Sequence, residues 1–177
     1  KNEQQLIEFL NEYQQKNSRI TILGAGSNTL IRDNGIKGVV IKLGSSFSNI
    51  KLIDKETLEI GAATLDRKVA NFAKDNSLAN LEFLSCIPGS VGGAIIMNSG
   101  CYDHDISKIL IGIHALNKDN LSEVEIKKED IKFSYRGTNL PDNLIILSAK
   151  FKGLISQKNE IEKKQLNFIE QKKLSQP

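Results

Sequence analysis

Leu6, Phe9, Leu10 and Tyr13 recur at the three- and four-residue spacing of one helix face. With Asn2 as an N-cap and Glu3 in the first turn, they predict an amphipathic helix over residues 2–16. The pattern then shortens into β-branched runs. Arg19 to Leu23 predicts a strand stopped by Gly24-Ala-Gly26, Thr29 to Arg32 a second, and Gly38 to Leu43 a third after the turn signal Asp33-Asn-Gly35. Residues 50–53 and 57–60 predict a hairpin across Asp54-Lys-Glu56. Thr64 reads as the cap of a helix reaching about Asn76, with Leu65, Val69, Phe72 and Ala73 on its inner face. Residues 108–116 and 122–126 predict antiparallel neighbours around Lys118-Asp-Asn120, and residues 144–151 one more strand. From Ser156 to Lys173 a thin stripe of Ile161, Leu166 and Ile169 predicts an exposed helix leading elsewhere.

These elements sum to an α+β protein of two lobes divided near Gly44. Residues 1–44 form a small α/β lobe, residues 45–155 an antiparallel sheet with helices, and residues 156–177 a departing helix. Composition changes this picture little: 40% hydrophobic and 25% charged residues suit a globular domain. The net charge of +3 is scattered, with no basic block to follow a phosphate backbone, so no nucleic-acid partner is expected. No apolar run approaches the roughly 20 residues that cross a bilayer, and no leader opens the chain, so a cytoplasmic protein without a membrane partner is expected. Cys86 and Cys101, lacking close pairing, support neither a disulfide framework nor a zinc site; no metal is expected. The first residue is Lys1 and the only methionine is Met97, so a longer natural chain is expected.

Candidate chemistry lies in two glycine-rich stretches. Ile22-Leu-Gly-Ala-Gly-Ser-Asn-Thr-Leu30 follows a strand, but Thr29 replaces a third glycine, a turn replaces the helix, and no acidic residue stands near 43–48 to hold a ribose. A Rossmann site is therefore excluded. What remains is either a tight turn or a concave nest of backbone N–H groups for phosphate oxygens, with Ser27 and Asn28 adding donors. The second stretch, Cys86 to Gly100, holds four of thirteen glycines, the only methionine and no charge. Pro88 can start a helix, and Gly89, Gly92 and Gly93 expose backbone to a ligand or to another backbone. Two such stretches point to a large, flat, partly apolar ligand carrying phosphates. His104, between Asp103 and Asp105, reads as a solvated loop residue, and His114 as a hydrogen-bonded core histidine.

Several segments carry a resemblance in order and spacing: Leu23 to Leu30, Gly35 to Leu43, Leu81 to Ala94 with Met97, Asn98 and Gly100, and Phe133-Ser-Tyr-Arg136. Together they resemble the UDP-N-acetylenolpyruvoylglucosamine reductase family, across essentially all 177 residues. The resemblance implies an FAD-binding fold of the vanillyl-alcohol oxidase type, with a third domain closing over substrate. It implies non-covalent FAD, NADPH as hydride donor, a nucleotide-sugar substrate, a monomer, and a role in peptidoglycan and cell-wall synthesis, cell shape and cell division. Leu23, Gly24, Ala25, Gly26, Ser27, Asn28 and Thr29 would hold the pyrophosphate. Ile87, Pro88, Gly89, Ser90, Gly92, Gly93, Asn98 and Gly100 would line the flavin. Arg136 matches the catalytic arginine, and Arg136 and Tyr135 would contact substrate; read without the family, Arg136 is a surface charge and Tyr135 equally a core aromatic.

The resemblance also implies parts that these residues do not contain: a Thr-rich, Gly-Gly N-terminal segment, a proton-donating serine shortly after Gln176-Pro177, and a glutamate near the C-terminus. Gly137 stands where the family favours serine, and Cys101 reads as a buried thiol. Two other readings fit the same residues: a different flavin oxidoreductase of this fold, and a catalytically incomplete nucleotide-binding module.

Overall fold

Asn2 and Gln5 open the first helix by capping each other. The Gln5 N–H donates to Asn2 Oδ1 at 3.1 Å and the Asn2 N–H to Gln5 Oε1 at 3.3 Å. Helix α1 runs Glu3–Gln14 in this computed structural model, which describes residues 2–14 and 19–175. The expected extension over residues 15–16 lies outside the described residues. Leu6 and Leu10 are buried against Phe47, Leu116, Ile145 and Leu147, whereas Phe9 faces outward and stacks on Tyr13.

Strands β1 (Ile20–Ile22) and β2 (Val39–Ile41) pair parallel, with Ile20 opposite Val39. The strand expected over Thr29 to Arg32 does not form: Leu30 is 95% exposed. Parallel neighbours need a crossover, and residues 23–38 are spent on it. Strands β3 (Ile50–Leu52) and β4 (Thr57–Gly61) make the expected hairpin. The Asp54 carboxylate accepts from the Glu56 and Thr57 N–H groups and tightens its turn.

Helix α2 spans Asp66–Asp75, but Thr64 does not cap it. The Thr64 carbonyl accepts from Val91 N–H at 2.9 Å, the Asp66 N–H donates to the Gly89 carbonyl at 3.1 Å, and Leu65 bridges Ser90. This ladder to the glycine-rich stretch replaces a cap and turns Leu65 outward, 46% exposed, leaving Val69, Ala70 and Ala73 as the buried face. Strand β5 (Leu78–Ala79) and a 3-10 turn, Glu82–Cys86, follow. Helix α3 covers only Val91–Ile96, starting after Ser90 rather than at Pro88.

Strands β6 (Gly100–Cys101) and β7 (His104–Asp105) form a small hairpin. Next come β8 (Leu110–Asn117), β9 (Glu123–Lys127), the pair β10 (Phe133–Ser134) and β11 (Gly137–Thr138), then β12 (Leu144–Lys152) and β13 (Leu154–Ile155). The principal sheet is antiparallel, in the order β3-β4-β12-β8-β9, and β13 pairs with β5. Its faces meet two apolar cores. One contains Val69, Phe83, Ile95 and Phe151; the other lies under α1. The expected α+β class is the observed one.

The last helix, α4, spans Lys158–Ser175. It is docked along one face rather than exposed all round. Ile161 is 1% exposed, and buried Gln165 donates from Nε2 to the Ala70 carbonyl at 2.8 Å. Leu166, expected in the apolar stripe, is 61% exposed. Polar Gln165 sits inside because the Ala70 carbonyl in the middle of α2 offers it a backbone acceptor.

Candidate functional site

The fold brings the two glycine-rich stretches face to face. The crossover after β1 lies against the segment before α3: the Ser27 hydroxyl donates to the Pro88 carbonyl, and Gly24 abuts Ser90. Between and beside them runs a crevice of about 840 Å³. Residues 23–29, residues 87–90, Gly92, Gly93, Gly100 and Arg136 all line it.

Backbone geometry explains the lack of side chains. Gly26 has φ +80°, a left-handed conformation that other residues adopt only with strain. At Gly24 a Cβ would sit 2.6 Å from Ser90 Oγ, so the two segments could not approach. Gly92 serves packing: its Cβ would point at Ala62, 3.2 Å from that residue's Cβ, while its N–H donates to the Ala62 carbonyl. At Gly93 the nearest obstacle to a Cβ is Ser90 Oγ at 3.8 Å.

Two buried polar groups flank the second segment. Ser90 is 4% exposed, and its hydroxyl has no partner and points toward Gly24. Asp66 is fully buried, neither carboxyl oxygen is bonded, and Oδ2 lies directly behind Gly89. Burial alone pushes the Asp66 carboxyl up to about 7.

Arg136 sits at the tip of the β10–β11 hairpin with φ +59°. Its Nη1 donates to the Gly100 carbonyl at 3.1 Å, and its guanidinium lies 5.1 Å from the centroid of the Tyr135 ring. Tyr135 is 89% exposed and is neither a core residue nor part of the crevice wall. Asn98 also stays out of the wall. It is buried, donates from Nδ2 to the Ser134 carbonyl at 3.2 Å and accepts the Ser107 N–H at 3.1 Å, so it braces the hairpin that carries Arg136. Gly137 pairs with Ser134 across that hairpin, where a Cβ would meet Ser134 Oγ at 3.2 Å.

Sequence reading missed part of the wall. Lys42, Leu65, Tyr102 and Lys172 line it, and none lies in a glycine-rich motif. Among the described residues the lining contains Lys42, Arg136 and Lys172 but no aspartate or glutamate. The crevice is thus glycine-walled, partly apolar and positively charged, suited to a flat ligand with anionic groups. Cys101 lines it half-buried, and burial pushes its thiol up to about 11, so it is no nucleophile at neutral pH. His104 donates from Nδ1 to the Tyr102 carbonyl at 2.8 Å and packs edge-on against Phe168. His114, partly exposed on β8, meets Glu123 at 2.9 Å and is not a core histidine. No group of three metal-ligating side chains occurs among the described residues.

Comparison with known proteins points the same way. Residues 1–120 match the FAD binding domain family. The UDP-N-acetylenolpyruvoylglucosamine reductase of Pelagibacter ubique HTCC1062 is 44% identical over 172 residues, 97% of this chain and 56% of that protein. The protein of the same name from Rickettsia canadensis is 46% identical over 147 residues, 83% of this chain and 49% of its own. The crystal structure of UDP-N-acetylenolpyruvylglucosamine reductase (MurB) from Thermus caldophilus superposes with a TM-score of 0.83 at 28% identity, covering 95% of this chain and 61% of that one. The chain therefore spans about half the length of the curated relatives it matches.

Proposed function

The chain belongs to the FAD binding domain family, and from that premise we propose that it is the cofactor-holding part of an NADPH- and FAD-dependent oxidoreductase. The reaction is reduction of UDP-N-acetylglucosamine enolpyruvate to UDP-N-acetylmuramate in peptidoglycan synthesis, the activity suggested by the names of the relatives. The observation that carries the reading is the meeting of two side-chain-poor segments across one positively charged crevice.

The residues present fit FAD. A buried hydroxyl without a partner, Ser90 Oγ, faces the first loop, where a Cβ at Gly24 would close the gap. Such a cradle supplies main-chain and hydroxyl donors to phosphate oxygens. Gly24 to Thr29 hold the pyrophosphate, with Lys42 adding charge. Ile87 to Ser90, Gly93 and Gly100 would bed the ring. When bound, FAD supplies the hydride chemistry that no side chain can perform.

The chain's own groups bind, orient and stabilise. Arg136 offers a planar, permanently charged fork to the substrate carboxylate, where negative charge grows during reduction. Its guanidinium is held by the Gly100 carbonyl and its hairpin by Asn98, so little reorganisation accompanies the reaction. Tyr135, exposed at the same tip, is placed to meet substrate arriving from outside. Attachment is read as non-covalent: burial holds the Cys101 thiol of the crevice protonated, and no histidine lines the crevice among the described residues. The same reading makes the enzyme a cytoplasmic monomer; no helix among the described residues is long and apolar enough to cross a membrane.

Anaerobic spectroscopy on the full-length protein tests this. NADPH should bleach the flavin bands and the enolpyruvyl nucleotide sugar should restore them. Flavin that NADPH reduces but this substrate leaves reduced would refute the assigned reaction.

A further inference from the structure

Helix α4 reaches the crevice with a charge. Ile161, Gln165, Phe168, Lys172 and Ser175 follow one another at three- and four-residue intervals and so share one face. Every member of that face has a partner in the body of the protein. Ile161 is buried, Gln165 bonds the Ala70 carbonyl, and Phe168 stacks on Tyr102 with ring centres 5.9 Å apart. Ser175 Oγ lies 3.0 Å from the Tyr102 hydroxyl. At the helix N-terminus Lys158 bonds Asp75 at 2.8 Å. Helix register, set along its whole length, thus delivers Lys172 to one place.

That place is the corner of the crevice lined by Cys86, Cys101, Tyr102 and Arg136. Lys172 Nζ donates to the Cys86 carbonyl at 2.7 Å, which uses one of the three ammonium donors. Both Lys172 and Arg136 act electrostatically on the Cys101 thiol, so the two cations bear on the same point. No carboxylate lines the crevice among the described residues; Lys172 and Cys101 there are partly buried, and Arg136 is exposed. Two cations lining one crevice with no carboxylate in its wall favour an arriving anion.

We propose that Lys172 is a specificity-determining residue that shares the substrate's carboxylate with Arg136, so that α4 completes the anion site of the crevice. This rests on the function proposed above. Arg136 provides the directional fork. Lys172 provides a second point charge and, through the Cys86 carbonyl, holds the start of the segment that beds the cofactor. A neutral ester of the same substrate would leave both charges unanswered and bind less well.

The test uses the full-length, FAD-loaded protein and two probes, the enolpyruvyl nucleotide sugar and its methyl ester, with binding read from perturbation of the flavin spectrum. The wild type should prefer the acid. Lys172→Met, which keeps the apolar stem, should lose about tenfold or more of acid affinity and leave ester affinity within about twofold. Lys172→Arg should restore the preference, and retained flavin with a matching circular dichroism spectrum would show that the fold survives. If Lys172→Met does not fold, Lys172→Gln replaces it. An unchanged acid-to-ester ratio in a folded, flavin-bearing variant would overturn the proposal. A wild type that takes up flavin but binds neither probe would instead overturn the assigned substrate.

Discussion

Asp66→Asn isolates a buried charge behind the cofactor wall. Asp66 is fully buried, its two carboxyl oxygens have no bonded partner, and burial pushes its ionisation up to about 7. In the unfolded chain the same group ionises near 3.9. Between those values the unfolded state releases a proton that the native state keeps, so stability falls as pH rises from about 4 to about 7. Displacing ionisation that far is worth about 4 kcal/mol at most, and water penetration reduces it to an expected 2–4 kcal/mol or so. Asparagine has nearly the same shape and cannot ionise. Urea unfolding at pH 5 and pH 8 measures the effect. The variant should exceed wild type by about 1–1.5 kcal/mol at pH 5 and by about 2–4 kcal/mol at pH 8. Other titrating groups cancel in the difference between the proteins. If both lose the same stability between the two pH values, Asp66 does not carry a displaced ionisation and the reasoning fails.

Gly93→Val and Gly92→Val should part company. At Gly93 a Cβ has only Ser90 Oγ within 4 Å, at 3.8 Å, so the added side chain should project into the crevice, lowering FAD affinity at least tenfold with the melting temperature nearly unchanged. At Gly92 it meets Ala62, so thermal stability itself should drop, by about 1–3 kcal/mol; calorimetry and flavin fluorescence read the two effects. Arg136→Lys in the full-length enzyme should cut kcat about 100-fold or more while FAD stays bound, because a point charge replaces a bidentate fork; an unchanged rate removes Arg136 from the mechanism.

The two glycine stretches stood out because glycine is written in consecutive residues, whereas Arg136, a surface charge when read alone, was singled out only by the family resemblance. The turn at Gly26 and the close approach at Gly24 demand glycine, and glycine is visible in a sequence. Strands β4, β8 and β12 were legible because each buries a run of branched residues. Lys172 was not, since a search for apolar periodicity passes over a helix face whose inner members include Gln165 and Lys172; what seats them are backbone carbonyls distant in sequence. Thr64 misled for a similar reason: its segment pairs with Gly89 to Val91, a partner that local patterning does not show. Asn98 was found as a motif residue, but its part emerges only when Ser134 and Ser107 are seen to converge on its side chain. Leu30, apolar yet 95% exposed, has no burial partner among the described residues.

The central claim is that the crevice between the two glycine segments holds FAD, and titrating FAD into the cofactor-stripped protein tests it most directly. Saturable quenching of flavin fluorescence is expected, with one site per chain, a rise in melting temperature with added FAD, and loss of both in Gly93→Val. A wild-type protein that neither quenches FAD nor gains stability from it, or a Gly93→Val variant that binds it equally well, would contradict the account.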